Sequence, residues 1–233
     1  MDLQQDWRKL VAEAVGIFFF FFIGIGAQLS VAQVAGSTNT WFNVFYIALA
    51  HGVALAIAIS AFGYISGGHF NPAVSIGLAL ARKISWVLAL LYIVAQIVGG
   101  VLAALALRLL LPESVWGPAK LGTPPVNTQV IDPTMAAVME AILTFFLVTA
   151  VLFTAVDSRA PKIAGFGIGL TVFVGILVGG PISGGVMNPA RAISPAIVYG
   201  DWTNQWVWWV GPIIGGLVAS LLWQFVFRKP DEE

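Results

Sequence analysis

The sequence predicts an all-α membrane protein: six transmembrane helices plus two re-entrant half-helices, arranged as an inverted 3+3 repeat. Three observations lead there. The 233-residue chain is 59% hydrophobic and 9% charged, against about 25% charged in soluble domains, so it cannot cover a water-facing surface. Six apolar stretches approach the roughly 20 residues a helix needs to cross a bilayer. Finally, ISGGHFNPA at 65–73 returns as ISGGVMNPA at 182–190, an offset of 117 with seven of nine positions identical.

The first span, about 9–30, follows a short polar segment holding Asp2, Asp6, Arg8 and Lys9. A cleavable signal would have a shorter apolar region and a small-residue cleavage site, so this stretch is expected to remain as a helix. Its run Phe18 to Phe22 covers a full turn and cannot all face a pore; it is assigned to lipid and subunit contact. The second span covers about 42–62. An apolar piece at about 71–81 follows a glycine-rich turn, opens with Asn-Pro and is only half long enough to span. The third span is 86–109. The connection at about 110–134 holds Pro112, Pro118, Pro124, Pro125 and Pro133 and reads as an irregular extracellular loop rather than a domain. Further spans follow at 135–156, 163–180 and 205–227, with a second Asn-Pro half-length piece at 189–198. The expected organisation is one membrane domain, 1–233, with a first repeat at 1–110, a connecting loop at 111–134 and a second repeat at 135–233.

Eight of the eleven basic residues fall on one face of this topology: Arg8, Lys9, Arg82, Lys83, Arg159, Lys162, Arg228 and Lys229. Arg108 and Lys120 lie on the other, and Arg191 is inside the membrane region. Lys and Arg concentrate on the cytoplasmic side, so both termini are expected there. The repeat extends beyond the motif: Glu13-Ala14 opens the first span as Glu140-Ala141 opens the fourth, and Gly99-Gly100 matches Gly215-Gly216. Three spans plus one half-helix is an odd number of crossings per repeat. The repeats are therefore inverted, and the half-helices enter from opposite faces to meet near the midplane.

At such a meeting point Asn-Pro-Ala has a defined use. Proline at the first helical position loses nothing, because its missing N–H would be unpaired there. The asparagine before it caps the helix through its side-chain oxygen, which leaves the amide NH2 free to face a lumen. Asn71 and Asn188 would then present paired donors where two helix N-termini add positive potential. A single-file lumen there favours neutral acceptors and repels cations.

The paired motifs GGHFNPAVS and GGVMNPARAISPA, set in a six-span inverted repeat, resemble the aquaporin (major intrinsic protein) family over essentially the whole chain. The resemblance implies a homotetramer with one pore per subunit, passing water and sometimes small neutral solutes, with no cofactor. It assigns Asn71, Pro72, Ala73, Asn188, Pro189 and Ala190 to the pore centre. By motif spacing it also assigns a selectivity filter of His51, Ile176, Gly185 and Arg191. Water channels of the family usually have phenylalanine and histidine at the positions of His51 and Ile176. The set here looks like that of tonoplast intrinsic proteins, including members that pass ammonia, although the outer-loop histidine of those members is missing from 110–134. A buried arginine is expensive and usually functional; the competing reading has Arg191 snorkelling to the surface. For His51 the competing reading is ordinary packing. A second cation beside Arg191 would be costly, so a neutral imidazole is expected. Glycerol channels of the family carry aspartate directly after the arginine and a basic residue five positions on, where this chain has Ala192 and Ala196.

Glu13 and Glu140 are the acidic residues well inside spans. They read either as hydrogen-bond acceptors for the irregular backbone before each half-helix or as the ion relay of a coupled transporter. His69 either lines the cytoplasmic pore entrance or packs within its loop. Gly99, Gly100, Gly165, Gly169, Gly215 and Gly216 are expected at close helix crossings, and Trp41, Trp86, Trp116, Trp202 and Trp206 in an interfacial belt. With two histidines and no cysteine, no nucleophile–base pair or metal-ligand set is visible, so no enzyme is expected. Zero net charge gives no reason to expect nucleic acid. A coupled transporter and a junctional protein are the competing classes; the first needs a gradient-driven flux, and the second has little tail to recruit a partner. The plasma membrane is the expected location, with the vacuolar membrane as the alternative.

Overall fold

The computed structural model describes residues 3–35, 41–159 and 163–228, and among these it holds helices and connecting turns without strands. Lys162 and Lys229 lie outside the described residues. The helices in order are α1 (Leu3–Ala35), α2 (Trp41–Ser66), α3 (Pro72–Leu80), α4 (Trp86–Leu110), the single turn α5 (Glu113–Trp116), α6 (Pro133–Val151), α7 (Ala164–Gly179), α8 (Pro189–Tyr199) and α9 (Val207–Leu222). Five apolar segments are long enough to cross a bilayer: Trp7–Val34, Trp41–Ser66, Trp86–Leu110, Pro133–Val156 and Val207–Phe227. The last two include a widened π-helical turn, closed by Asp157 N–H on Leu152 O and Arg228 N–H on Trp223 O.

The fifth expected span, α7, has 16 residues, about 24 Å at 1.5 Å per residue, and is shorter than the 163–180 expected. Its C-terminal end stops because Pro181 cannot extend it and the N–H groups of Ser183 and Gly184 converge on Gly179 O. The half-helices α3 and α8 have 9 and 11 residues, about 14 and 17 Å. Set end to end they match a hydrocarbon core of about 30 Å.

Glycines bring the long helices together. A Cβ on Gly99 would fall on the carbonyl of Ala14, where α4 crosses α1, and a Cβ on Gly215 on the carbonyl of Ala141, where α9 crosses α6. The two crossings are equivalents in the repeat, as are Tyr92, which donates to Ser66 O at 2.7 Å, and Trp208, which donates to Ser183 O at 2.8 Å.

The phenylalanine run departs from the lipid and subunit assignment. Phe20 and Phe21 are buried, and Phe20 meets the His51 ring edge-on at 5.9 Å. The helical period turns these two residues toward α2 and α4; Phe18, Phe19 and Phe22 are partly buried. Trp41, Trp86, Trp202 and Trp206 are exposed, whereas Trp116 meets Tyr199 edge-on and lies under Arg108. The charged ends separate by contact. Arg159 donates to Phe227 O and Lys83 sits 5.0 Å over the Trp223 ring at one end; Arg108 donates to Val198 O and Lys120 pairs with Asp201 at the other.

The connecting loop is more than a surface strap, since Leu121, Gly122, Thr123 and Pro124 are buried. Lys120 Nζ holds Asp201 at 2.7 Å and its hydrogen bond pulls that carboxyl down to about 2. A depressed carboxyl contributes stability above about pH 4 and loses it as pH falls toward 2. With Lys120 exposed, the pair is worth about 0.2–1 kcal/mol.

Candidate functional site

Each half-helix begins the same way. Asn71 and Asn188 are extended (φ −163° and −150°), and each caps its own helix: Asn71 Oδ1 accepts from Ala73 N at 2.9 Å, Asn188 Oδ1 from Ala190 N at 3.1 Å. Pro72 and Pro189 take the first helical position, and Ala73 and Ala190 follow, fully buried. The structure then departs from an amide left wholly to the lumen. Asn71 Nδ2 donates to Met187 O at 2.7 Å, and Asn188 Nδ2 donates to Phe70 O at 2.8 Å. Phe70 and Met187 have left-handed φ of 46° and 54°, a conformation costly for a side chain with Cβ. Their buried carbonyls need partners, and the opposite asparagine supplies each. One of the two amide N–H bonds per asparagine remains.

Two buried carboxylates hold these loops. Glu13 on α1 accepts from Ser66 Oγ (2.7 Å), His69 N (2.9 Å), Phe70 N (2.7 Å) and Gln96 Nε2 (2.7 Å). Glu140 on α6 accepts from Ser183 Oγ (2.7 Å), Val186 N (3.1 Å) and Met187 N (2.7 Å). Backbone that leaves its helix inside a membrane must be satisfied by protein groups, and each carboxylate does this for one loop. His69 makes contact in both senses: its Nδ1 meets Ser75 Oγ at 3.0 Å, its ring packs edge-on to Tyr92 at 5.0 Å, and it reaches the wall of the central cavity.

His51, Ile176, Gly185 and Arg191 line one cavity together with Asn71 and Asn188. Arg191, on the first turn of α8, is held by three neutral acceptors. Its Nε donates to His51 Nε2 (3.2 Å), Nη1 to Gly122 O (2.9 Å) and Nη2 to Gln28 Oε1 (2.8 Å). The arginine is 6% exposed and does not reach the surface. His51 Nδ1 contacts Ile47 O at 2.9 Å; that oxygen only accepts, so Nδ1 carries the proton. Nε2 is then free to accept from Arg191, which describes a neutral ring. Gly24 makes room for it, since a Cβ there would lie 2.5 Å from the imidazole. Gly185 has φ 58°, and a Cβ would come within 2.8 Å of Gly180 N and 3.1 Å of Ile176 Cα. That wall therefore combines glycine with the aliphatic Ile176. In the connecting loop, Lys120, Leu121 and Gly122 run left-handed in succession (φ 48°, 52° and 78°), and Gly122 O meets the guanidinium.

Sequence reasoning missed Gln28, Gln96, Tyr92 and the Gly122 carbonyl. Gln28 carried a signal: it is an amide inside the first span, fifteen residues after Glu13. At 100° per residue that places both on nearly the same helix face. The carbonyl carried none.

The family model described as Major intrinsic protein matches residues 1–223. Aquaporin TIP4-4 from Zea mays is 40% identical over 225 residues, covering 94% of this chain and 86% of its own length. Aquaporin-4 from Mus musculus is 36% identical over 234 residues, covering 99% and 70%. Among solved structures, the aquaglyceroporin from Plasmodium falciparum superposes with a TM-score of 0.81 at 25% identity, covering 95% of this chain and 96% of that one.

Proposed function

The chain belongs to the major intrinsic protein family, and from that premise we propose that it is a passive water channel, one lumen per subunit of a homotetramer, whose filter also admits ammonia. The observation that carries the reading is the arginine clamp. Three N–H bonds of Arg191 are spent on His51, Gly122 and Gln28, which leaves two of its five for the lumen. With the remaining N–H of Asn71 and of Asn188, the membrane interior offers a passing molecule donors at two levels.

Water entering single file loses hydrogen bonds to its neighbours, and these donors replace them. The polarity is one-sided: a fixed cation and two half-helix N-termini attract oxygen lone pairs and repel protons and metal cations. The apolar side, Ile176 with Gly185, gives a larger neutral molecule room without offering it partners. The buried carboxylates are occupied by loop donors, which supports a structural role over ion coupling. Both termini are assigned to the cytoplasm on the side of the basic majority.

Stopped-flow measurements on proteoliposomes with water, ammonia, urea and glycerol test this. Fast water flux that needs no ion gradient, measurable ammonia flux and glycerol flux at the empty-vesicle level are expected. Fast glycerol flux would overturn the selectivity reading, and absent water flux the channel reading itself.

A further inference from the structure

We infer that Gln28 on α1 is a fifth selectivity residue, which sets the position of the Arg191 guanidinium and the width of the lumen beside it. The inference rests on the channel reading above and deepens it.

Gln28 is half-buried and lines the same cavity as His51, Ile176, Gly185 and Arg191. It lies about 22 Å along α1 from Glu13 at 1.5 Å per residue, so one helix holds both the half-helix loop and the filter arginine. Its Oε1 accepts from Arg191 Nη2 at 2.8 Å. The three acceptors come from three elements: His51 from α2, Gly122 from the connecting loop and Gln28 from α1. Three contacts on a planar guanidinium fix both its place and its tilt. Two would allow it to turn about the line joining them.

The side chain also fills space. A Cβ on Gly122 would come 2.7 Å from Ile25 Cγ2 and 3.5 Å from Gln28 Oε1, so Ile25 and Gln28 close the gap between α1 and the loop. Truncating Gln28 opens that gap on the side to which the loosened guanidinium would move. The choice of amide matters as well. A carboxylate would hold the arginine equally well but cancel its charge, whereas a neutral acceptor leaves the cation at full strength. Gln28 thus acts through Arg191 as a positioning residue.

The test compares wild type, Gln28→Ala and Gln28→Glu in proteoliposomes, reading water, urea, glycerol and proton fluxes from the same preparation. For Gln28→Ala the urea-to-water ratio is expected to rise about tenfold, the scale of one hydrogen bond to a charged group, and glycerol flux to rise above the empty-vesicle level. For Gln28→Glu, which keeps the shape, the proton-to-water ratio is expected to rise by a similar factor. A role confined to folding would lower every flux together and leave the ratios alone. Such a uniform loss, or wild-type ratios in both variants, would overturn the inference while leaving the channel reading in place. A wild-type protein that carries no water would overturn both, and only that result touches the channel reading.

Discussion

Glu140→Leu is expected to leave little folded protein. Glu140 is fully buried and accepts from Ser183 Oγ, Val186 N and Met187 N. Leucine would strand the buried donors Ser183 Oγ and Met187 N at about 1–3 kcal/mol each, a total of about 2–6 kcal/mol against a usual stability of about 5–15 kcal/mol, and the half-buried Val186 N besides. The loop would also lose what holds Met187 in its left-handed conformation, and with it the carbonyl that binds Asn71. Glu140→Gln should do less harm, since it keeps an acceptor oxygen, but one of its ends would face a donor with a donor. Thermal unfolding and size-exclusion profiles in detergent would show the order wild type, glutamine, leucine. A leucine variant as stable as wild type would mean that the loop holds its shape without the carboxylate.

Arg191→Val is expected to keep the fold and lose the filter. Valine removes the cation from the cavity wall and frees His51 Nε2, Gly122 O and Gln28 Oε1. Two unit charges 4 Å apart repel by about 4 kcal/mol at an effective dielectric near 20, and about 1.4 kcal/mol is a factor of ten. Screening by lumen water reduces this, so cation and proton leak should rise at least about tenfold. Urea and glycerol flux should increase with it as the aperture widens. Unchanged solute and proton selectivity in this variant would sink the filter assignment.

These two residues show what the sequence makes legible and what it does not. Asn-Pro is a local instruction: the cap, the proline at the first helical turn and the short apolar run all lie within a dozen residues, and the half-helices begin where the pattern places them. Glu13 and Glu140 stand out because charge in a span is rare and because they repeat. Arg191 stands out for the same reason. Partners across the fold do not announce themselves. Tyr92 and Trp208 perform the same hydrogen bond in the two repeats with different side chains, so matching letters overlooks them. Gln28 meets Arg191 across 163 residues, and the Gly122 carbonyl is a backbone group with no letter of its own. The asparagine amides were legible as caps, but not as bonds between the two loops, because that contact depends on left-handed carbonyls at Phe70 and Met187. Phe20 and Phe21 were obscured by their own run, in which every residue is the same and helical phase alone separates the core from the lipid side.

On the proposed function, the few polar groups inside the membrane form a lumen that carries water and refuses charge. Osmotic water flux and proton flux, measured on one batch of proteoliposomes loaded with a pH-sensitive dye, test it most directly. Water flux well above empty vesicles with proton flux at their level is the predicted result. Proton flux that rises with protein content alongside water flux would contradict it, because the Arg191 clamp and the two half-helix N-termini would then not be acting as a barrier to cations.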